Sequence, residues 1–159
     1  MSQSKRQVWK RGSVVRIPIG SETFAYAQML DAPEYAFFDL RDAGNSSAQQ
    51  VAIQPVIFRL WVMRGAHASG RWQKVGVAPT QTDLERRILR FNQDPLDLSV
   101  ITLGEDGTSG ARVSIEQCEG YECAAVWDAS HVEDRLRDHF AGTSNKWVES
   151  MRPRVPAAT

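Results

Sequence analysis

The chain has 159 residues and a mass of 17.8 kDa, the size of one ordinary domain. Basic and acidic residues number 19 each, so the formal net charge is zero and a strongly charged nucleic-acid or membrane binder is not indicated. Apolar residues make up 42% and charged residues 24%, which excludes an intrinsically disordered chain.

The first half of the chain predicts an antiparallel sheet that follows a flexible, polar segment at residues 1–7. Alternation of β-branched and aromatic residues predicts a hairpin, with strands at 14–19 and 24–30. Two further strands are predicted at 35–40 and at 55–63, the latter central because Val, Ile, Phe and Trp dominate it. The Gly-, Asn-, Ser- and Gln-rich run between them, residues 42–50, predicts an exposed loop.

The next part of the chain predicts a less regular set of elements. Residues 65–70 predict a turn, and residues 71–77 predict another strand. Thr82 and Glu85 have capping-box spacing, and Leu84, Ile88 and Phe91 follow at helical intervals, which predicts a short helix. A second hairpin with strands at 98–103 and 112–115 is predicted next, and residues 121–127 are expected to extend the sheet.

The clearest predicted helix lies near the end of the chain. Ser130 is the predicted N-cap with Glu133 as its capping-box partner, and Glu133 and Arg137 are spaced for an i,i+4 ion pair. Gly142 follows as a C-terminal glycine would. The apolar stripe of this helix consists of Val132, Leu136 and Phe140.

These elements predict an α+β fold: a strongly bent antiparallel sheet, or an SH3-like partial barrel, with the C-terminal helix packed on it. One domain is expected over residues 8–151, followed by a flexible tail at 152–159. No signal peptide and no apolar run of about 20 residues is visible, so we expect a cytoplasmic protein that does not span a membrane.

The sequence offers little that predicts catalysis. No phosphate-binding loop, nucleophile elbow or zinc-ligand spacing is present, so no cofactor and no metal is predicted. Cys118 and Cys123 are expected to be free thiols. An enzyme that uses Cys123 with His131 or His139 stays open as an alternative, although the apolar run around Cys123 favours a structural cysteine.

Charge is unevenly distributed along the chain. Residues 102–138 hold nine acidic residues against three arginines, whereas residues 1–21 and 59–90 are basic. Two interpretations follow: a solvated surface whose charges pair across the fold, or an acidic patch that steers a basic partner. Candidate partner-binding residues in the acidic segment are Glu116, Glu119 and Glu122.

The five tryptophans also divide into two groups. Trp61 and Trp127 lie in apolar runs that predict core positions. Trp72 and Trp147 have polar neighbours, so we expect both to be partly exposed and to be candidate interface anchors. Arg71 beside Trp72, together with the basic segments, leaves a small β-barrel that binds nucleic acid as a second alternative.

Four parts of the sequence resemble the immunity protein 26 family of bacterial polymorphic-toxin systems, over residues 8 to 151. The resemblance is carried by residues 12–26, 35–40, 55–72 and 118–149, and above all by Cys118-Glu-Gly-Tyr-Glu-Cys-Ala-Ala-Val-Trp127 with the helix that follows it. Residues 79–92 are more basic and more helix-like than the family pattern, and the proline-bearing tail is extra.

The resemblance implies a small α+β protein, encoded beside a toxin, that binds that toxin and blocks it. It implies no catalytic residue and no cofactor. Because nucleases bind phosphate and are often basic, a basic nuclease toxin is one candidate partner for the acidic segment. Neither the identity of the toxin nor the oligomeric state follows from the sequence.

Overall fold

The structure is a computed structural model that describes residues 5–157, so the flexibility predicted for residues 1–4, 158 and 159 lies outside the described residues. The described chain divides into two compact units. Unit 1 comprises described residues within Met1–Glu85 and Val126–Asn145, and unit 2 comprises those within Arg86–Ala125 and Lys146–Thr159. The predicted α+β class is confirmed, and the single domain over 8–151 stays a prediction.

Ten strands and four helices are present in residues 5–157. The strands are β1 (Ser13–Pro18), β2 (Phe24–Met29), β3 (Glu34–Asp42), β4 (Val56–Val62), β5 (Gln73–Val77), β6 (Arg90–Gln93), β7 (Ile101–Gly104), β8 (Ala111–Arg112), β9 (Glu122–Cys123) and β10 (Val126–Trp127). The helices are α1 (Ala48–Ala52), α2 (Gly65–Ala68), α3 (Ala129–Ala141) and α4 (Lys146–Ser150), and two 3-10 turns span Thr82–Glu85 and Glu116–Cys118.

Unit 1 contains a bent sheet with the strand order β10-β4-β3-β2-β1-β5. The pairing of β10 with β4 is parallel and the other pairings are antiparallel. The register shifts in three of the pairings, β1–β5, β2–β3 and β3–β4, and such bulges bend the strands that carry them. This strand order confirms the predicted hairpin (β1 and β2), the third strand (β3) and the central strand (β4). The bent sheet does not close into a barrel.

One face of the unit 1 sheet is covered by α1, where the sequence predicts only a loop at 42–50. The Ser47 hydroxyl accepts from the Gln50 N–H at 3.2 Å, while the Gln50 side chain accepts from the Ser47 N–H at 2.8 Å. This capping box begins α1, and the prediction of a loop at its first residues is therefore wrong, because it relied on composition and overlooked the capping-box spacing. The buried core beneath it consists of Val14, Tyr26, Phe38, Ala48, Val51, Ala52 and Ala78.

The start of the same loop is organised by the Asp42 carboxylate. Its Oδ1 accepts from the Tyr26 hydroxyl at 2.6 Å and from the Gly44 N–H at 2.7 Å, and its Oδ2 accepts from the Ser46 hydroxyl. Burial acts to raise the pKa of Asp42, but the hydrogen bonds outweigh it, and the pKa lies below its ordinary value. The ionised carboxylate is thus the form that holds the loop.

Protonation of Asp42 at low pH should lower the free energy of unfolding of the protein. Because its pKa is lower in the folded chain than the unfolded value of about 3.9, its stabilisation is complete above about pH 4 and is lost as the pH falls through the folded pKa. We expect Asp42→Asn to cost about 1 kcal/mol at pH 7 and to flatten the loss of stability below about pH 4. Urea unfolding at a series of pH values checks this, with the exposed Asp83→Asn as control; equal pH profiles for wild type and Asp42→Asn would contradict it.

The opposite face of the sheet carries α3, as the sequence predicts, with Val132 and Leu136 buried and Phe140 half-buried. The predicted N-cap is wrong by two residues. Asp128 caps the helix, because its Oδ1 accepts from the Ser130 N–H at 2.8 Å, and Ser130 lies inside the first turn. Gly142 ends the helix in the left-handed conformation, at φ +70°, as predicted.

Glu133 fastens α3 to the sheet. Its carboxylate accepts from the Arg71 guanidinium through two hydrogen bonds, of 2.8 and 2.7 Å, and from the indole N–H of Trp72 at 2.9 Å. Glu133 is 5% exposed and Trp72 is fully buried. The predicted Glu133–Arg137 pair is therefore wrong, and Arg137 binds Asp134 at 2.7 Å instead.

Unit 2 contains a smaller sheet with the strand order β8-β7-β6-β9, in which β9 runs parallel to β6. The second predicted hairpin is present as the antiparallel pair β7 and β8, but its bounds are wrong, because β7 begins at Ile101 and β8 ends at Arg112, where the predicted strand begins. The helix predicted from Thr82 onward is wrong beyond Glu85, because Phe91 lies in β6. Phe91 is buried against Ile101 and Cys118. This packing in unit 2 decides for a strand, because so short an apolar pattern is compatible with a helix or with a strand.

The segment predicted to extend one sheet contributes to both. Residues 122 and 123 form β9 beside β6 in unit 2, and residues 126 and 127 form β10 beside β4 in unit 1. Gln7 and Arg154, which the sequence places in flexible ends, both make hydrogen bonds to ordered parts of the chain. The Gln7 amide contacts the backbone of unit 1, and the Arg154 backbone exchanges two hydrogen bonds with the Gln93 side chain, at 2.7 and 2.8 Å.

Candidate partner-binding surface

The two cysteines are free, and their surroundings disfavour the reactive thiolate. Cys118 is buried, and burial raises its pKa. The pKa of Cys123 is also raised, first by burial and then by the charge of Glu122. A thiol whose pKa is raised holds little thiolate at neutral pH, which argues against the alternative of a cysteine nucleophile.

The histidines and carboxylates do not form a metal site within the described residues, since no group of three or more metal-ligand side chains is found there. His139 lies at the end of α3 with its Nε2 3.0 Å from the Asp39 carboxylate, a partner that accounts for its position. No helix in residues 5–157 has the length and apolar character that crossing a membrane requires.

The predicted glutamates lie on one well-defined surface segment, residues 114–122, which we call the acidic connection because it joins β8 to β9. The side-chain oxygen of Gln117 accepts from the Ser114 N–H at 2.8 Å, and the Ser114 hydroxyl accepts from the Gln117 N–H at 3.3 Å. Cys118 is buried under the 3-10 turn, and Gly120 takes a positive φ of +83°. These contacts fix the backbone that carries the glutamates.

The acidic connection crosses the sheet of unit 2 from one end to the other. Val113, just before it, donates its N–H to the carbonyl of Ile101, at the start of β7. In the backbone register of β9 and β6, Glu122 lies opposite Arg90. Arg90 in turn lies opposite Gly104, at the end of β7. Between these ends, Glu116 and Glu119 are exposed, and Glu122 at the far end is half-buried.

The other acidic residues of segment 102–138 have structural partners and belong to both units. Glu105 pairs with Arg87, and Asp128 caps α3. Hydrogen bonds from Ser109 and Thr108 lower the pKa of Asp106 to about 2. Glu116 and Glu119 are exposed in the acidic connection, and the role of its glutamates in partner binding stays a prediction.

The tryptophan predictions divide in the same way. Trp72 is 0% exposed, so its predicted exposure is wrong; its ring packs edge-on against Tyr35 and Phe37 and its indole N–H is bound by Glu133. A side chain without exposed area offers no direct contact to a partner. Trp147 is half-buried in α4, with the Lys146 ammonium 4.6 Å from its ring centre, and its role in binding stays a prediction.

One exposed aromatic residue escaped the sequence analysis. Tyr121 is 43% exposed within the acidic connection, between Gly120 and Glu122. The pattern placed it at the start of a strand, whereas the strand begins one residue later. The signal that could have found it is Gly120, because an isolated glycine in a strand pattern indicates a break or a bulge at that point.

Comparison with the curated proteins and with the solved structures finds no match. The family model of Immunity protein 26 matches residues 10–100, a range that includes β1 to β6 and ends before β7. The block at 118–149, which carries much of the resemblance in the sequence, lies beyond the matched residues. Because the match covers more than half of the chain, the protein belongs to the Immunity protein 26 family.

Proposed function

We propose that the protein binds a toxin, encoded beside it, through direct contact and inhibits it without a reaction of its own. Membership of the Immunity protein 26 family is the observation that carries this proposal. The raised pKa values of both thiols and the structural partners of His139 and Glu133 support a passive role. Such a protein needs a stable scaffold and a surface complementary to one target.

The surface we propose for this contact is the acidic connection, with Tyr121 as its apolar anchor. Glu116 and Glu119 are exposed on a backbone that hydrogen bonds already fix, so little conformational entropy is lost when a partner binds. An exposed tyrosine among carboxylates can bury its ring while the acids at the rim attract a basic surface. A basic nuclease has that chemistry, since it must bind phosphate.

Charge reversal tests this surface. The variant Glu116→Lys, Glu119→Lys, Glu122→Lys should associate with the purified product of the neighbouring toxin gene about tenfold more slowly than wild type at low salt, because steering by opposite charge is lost. Stopped-flow or surface plasmon resonance measures this rate. The control variant Glu22→Lys, Asp83→Lys, Glu149→Lys makes the same change in net charge at other exposed sites.

An unchanged association rate for the first variant, or an equal loss in both, would remove the acidic connection from the proposal. Failure of the wild-type protein to bind or inhibit the toxin would remove the proposed function itself. Circular dichroism of both variants checks that the fold is intact.

A further inference from the structure

Three basic side chains that are far apart in the sequence come together in unit 1. Lys10 follows the N-terminal segment, Arg64 precedes α2, and Lys74 lies in β5. The Gln7 side chain joins these regions: its Nε2 donates to the carbonyls of His67 at 3.1 Å and Trp72 at 2.7 Å. Its Oε1 accepts from the Lys74 N–H at 2.8 Å.

Trp9 also holds the N-terminal segment, which includes Gln7 and Lys10, in place against unit 1. Its indole N–H donates to the carbonyl of Leu30 at 2.9 Å, and its ring packs edge-on against Tyr35 and His67, with ring centres 4.9 and 5.3 Å apart. The backbone that carries Lys10 is therefore held close to His67 and Lys74. We call Lys10, Arg64 and Lys74 the basic patch.

The basic patch lacks countercharges. None of its three side chains forms an ion pair with a described residue, whereas Arg11 nearby in sequence pairs with Asp31 and Glu85 at 2.9 and 3.0 Å. Burial and the charge of Lys10 lower the pKa of Lys74. Positive charges held together in this way repel one another, so an anionic partner would relieve a repulsion already present in the free protein.

His67 gives a second, independent sign of a missing partner. It is 6% exposed, and its Nδ1 has no hydrogen-bond partner among the residues that the structure describes. Its carbonyl accepts from Gln7 and its ring packs against Trp9, the residue before Lys10, which places it beside the basic patch. Burial, followed by the charges of Arg64 and Lys74, lowers its pKa. A buried polar atom without a partner is costly, and a ligand group or a bound water can satisfy it.

We propose that the basic patch is a second contact surface, which takes an acidic segment of the toxin. The proposal rests on the proposed function. It adds that the toxin has, besides its basic surface, an acidic segment. Carboxylates of such a segment would pair with Lys10, Arg64 and Lys74, and one polar group could reach the region of His67.

An acidic protein segment suits the basic patch better than a nucleic acid does. Base stacking needs an exposed aromatic face, but Trp72 is fully buried and Trp9 is half-buried with its ring packed against two others. The guanidinium of Arg71, which could have contacted phosphates, is bound by Glu133. Unit 1 as a whole holds nearly equal numbers of basic and acidic residues, so it lacks the extended positive field that a polyanion attracts.

The test uses the full chain and the purified toxin from the neighbouring gene. The variant Lys10→Glu, Arg64→Glu, Lys74→Glu should bind that toxin at least about tenfold more weakly than wild type. The control variant Lys10→Arg, Arg64→Lys, Lys74→Arg keeps the charge and should bind like wild type. Isothermal titration calorimetry at two salt concentrations measures both affinities, and circular dichroism checks the fold.

The outcomes separate the two proposals. Loss of affinity in the charge-reversed variant alone supports the second contact. If wild type binds the toxin and the charge-reversed variant binds equally well, the basic patch is excluded while the proposed function stands; if wild type does not bind the toxin, the proposed function fails as well. Salt-sensitive binding of single-stranded DNA by wild type at low salt, abolished in the charge-reversed variant, would overturn the proposal in favour of a nucleic-acid site.

Discussion

Replacing Glu133 by alanine should lower the free energy of unfolding by about 3 kcal/mol. The change removes two hydrogen bonds to Arg71 and leaves the indole N–H of the fully buried Trp72 without an acceptor. Arg71 is 45% exposed and regains water, so the larger part of the cost comes from the unpaired indole and from the space left beneath α3.

Two further variants make this prediction specific. Glu133→Gln keeps an oxygen that can accept from Trp72, so about half of the loss should be recovered. Asp134→Ala, one residue away, removes the exposed pair with Arg137 and should cost less than about 1 kcal/mol. Urea unfolding followed by circular dichroism measures the three values, and a loss for Glu133→Ala no larger than that for Asp134→Ala would contradict the role assigned to Glu133.

Replacing Gly110 by alanine should destabilise unit 2 by about 3 kcal/mol or more. A Cβ at this position would lie 1.7 Å from the carbonyl oxygen of Leu103 and 2.6 Å from the Cα of Gly104. These are backbone atoms of β7, so the new methyl group cannot be accommodated by a rotamer change. The strand pairing of β7 with β8 must shift instead.

Gly120→Ala is the matched control for Gly110→Ala. Gly120 has a φ of +83° but open space around the added Cβ, so alanine there carries only the conformational cost, about 1 kcal/mol. Hydrogen exchange followed by mass spectrometry distinguishes the two variants, because peptides covering β6 and β7 should exchange much faster in Gly110→Ala. Equal protection in both variants would contradict the close approach of the Gly110 backbone to β7.

The sequence predicts what depends on local pattern. The strands β1, β2 and β3 and the stripe of Val132 and Leu136 in α3 recur in the structure, because the period of side chains follows directly from the geometry of strands and helices. Burial itself does not alternate in these strands, since both faces of the sheet are covered. The exposure of Glu116 and Glu119 was also predictable, since isolated acidic residues in a polar run remain in water.

What the sequence could not predict depends on contacts between distant residues. The spacing of Glu133 allows a pair with Arg137, but a bidentate bond to Arg71 is available only once α3 lies on the sheet. The burial of Trp72 has the same cause, since its polar neighbours in sequence conceal a partner 61 residues away. The meeting of Lys10, Arg64 and Lys74 likewise needs the Gln7 bridge, which no local pattern indicates.

The division of residues 122–127 between two sheets has a consequence for the order of events during synthesis. Each sheet needs a strand that leaves the ribosome after residue 120, and α3, which covers the aromatic face of unit 1, emerges only afterwards. A nascent chain that stops at residue 100, where the family match ends, would therefore present Phe37, Phe58 and Trp72 without their cover. Such a chain would be prone to aggregation until its last third arrives, because apolar surface that the folded protein covers would stay in contact with water.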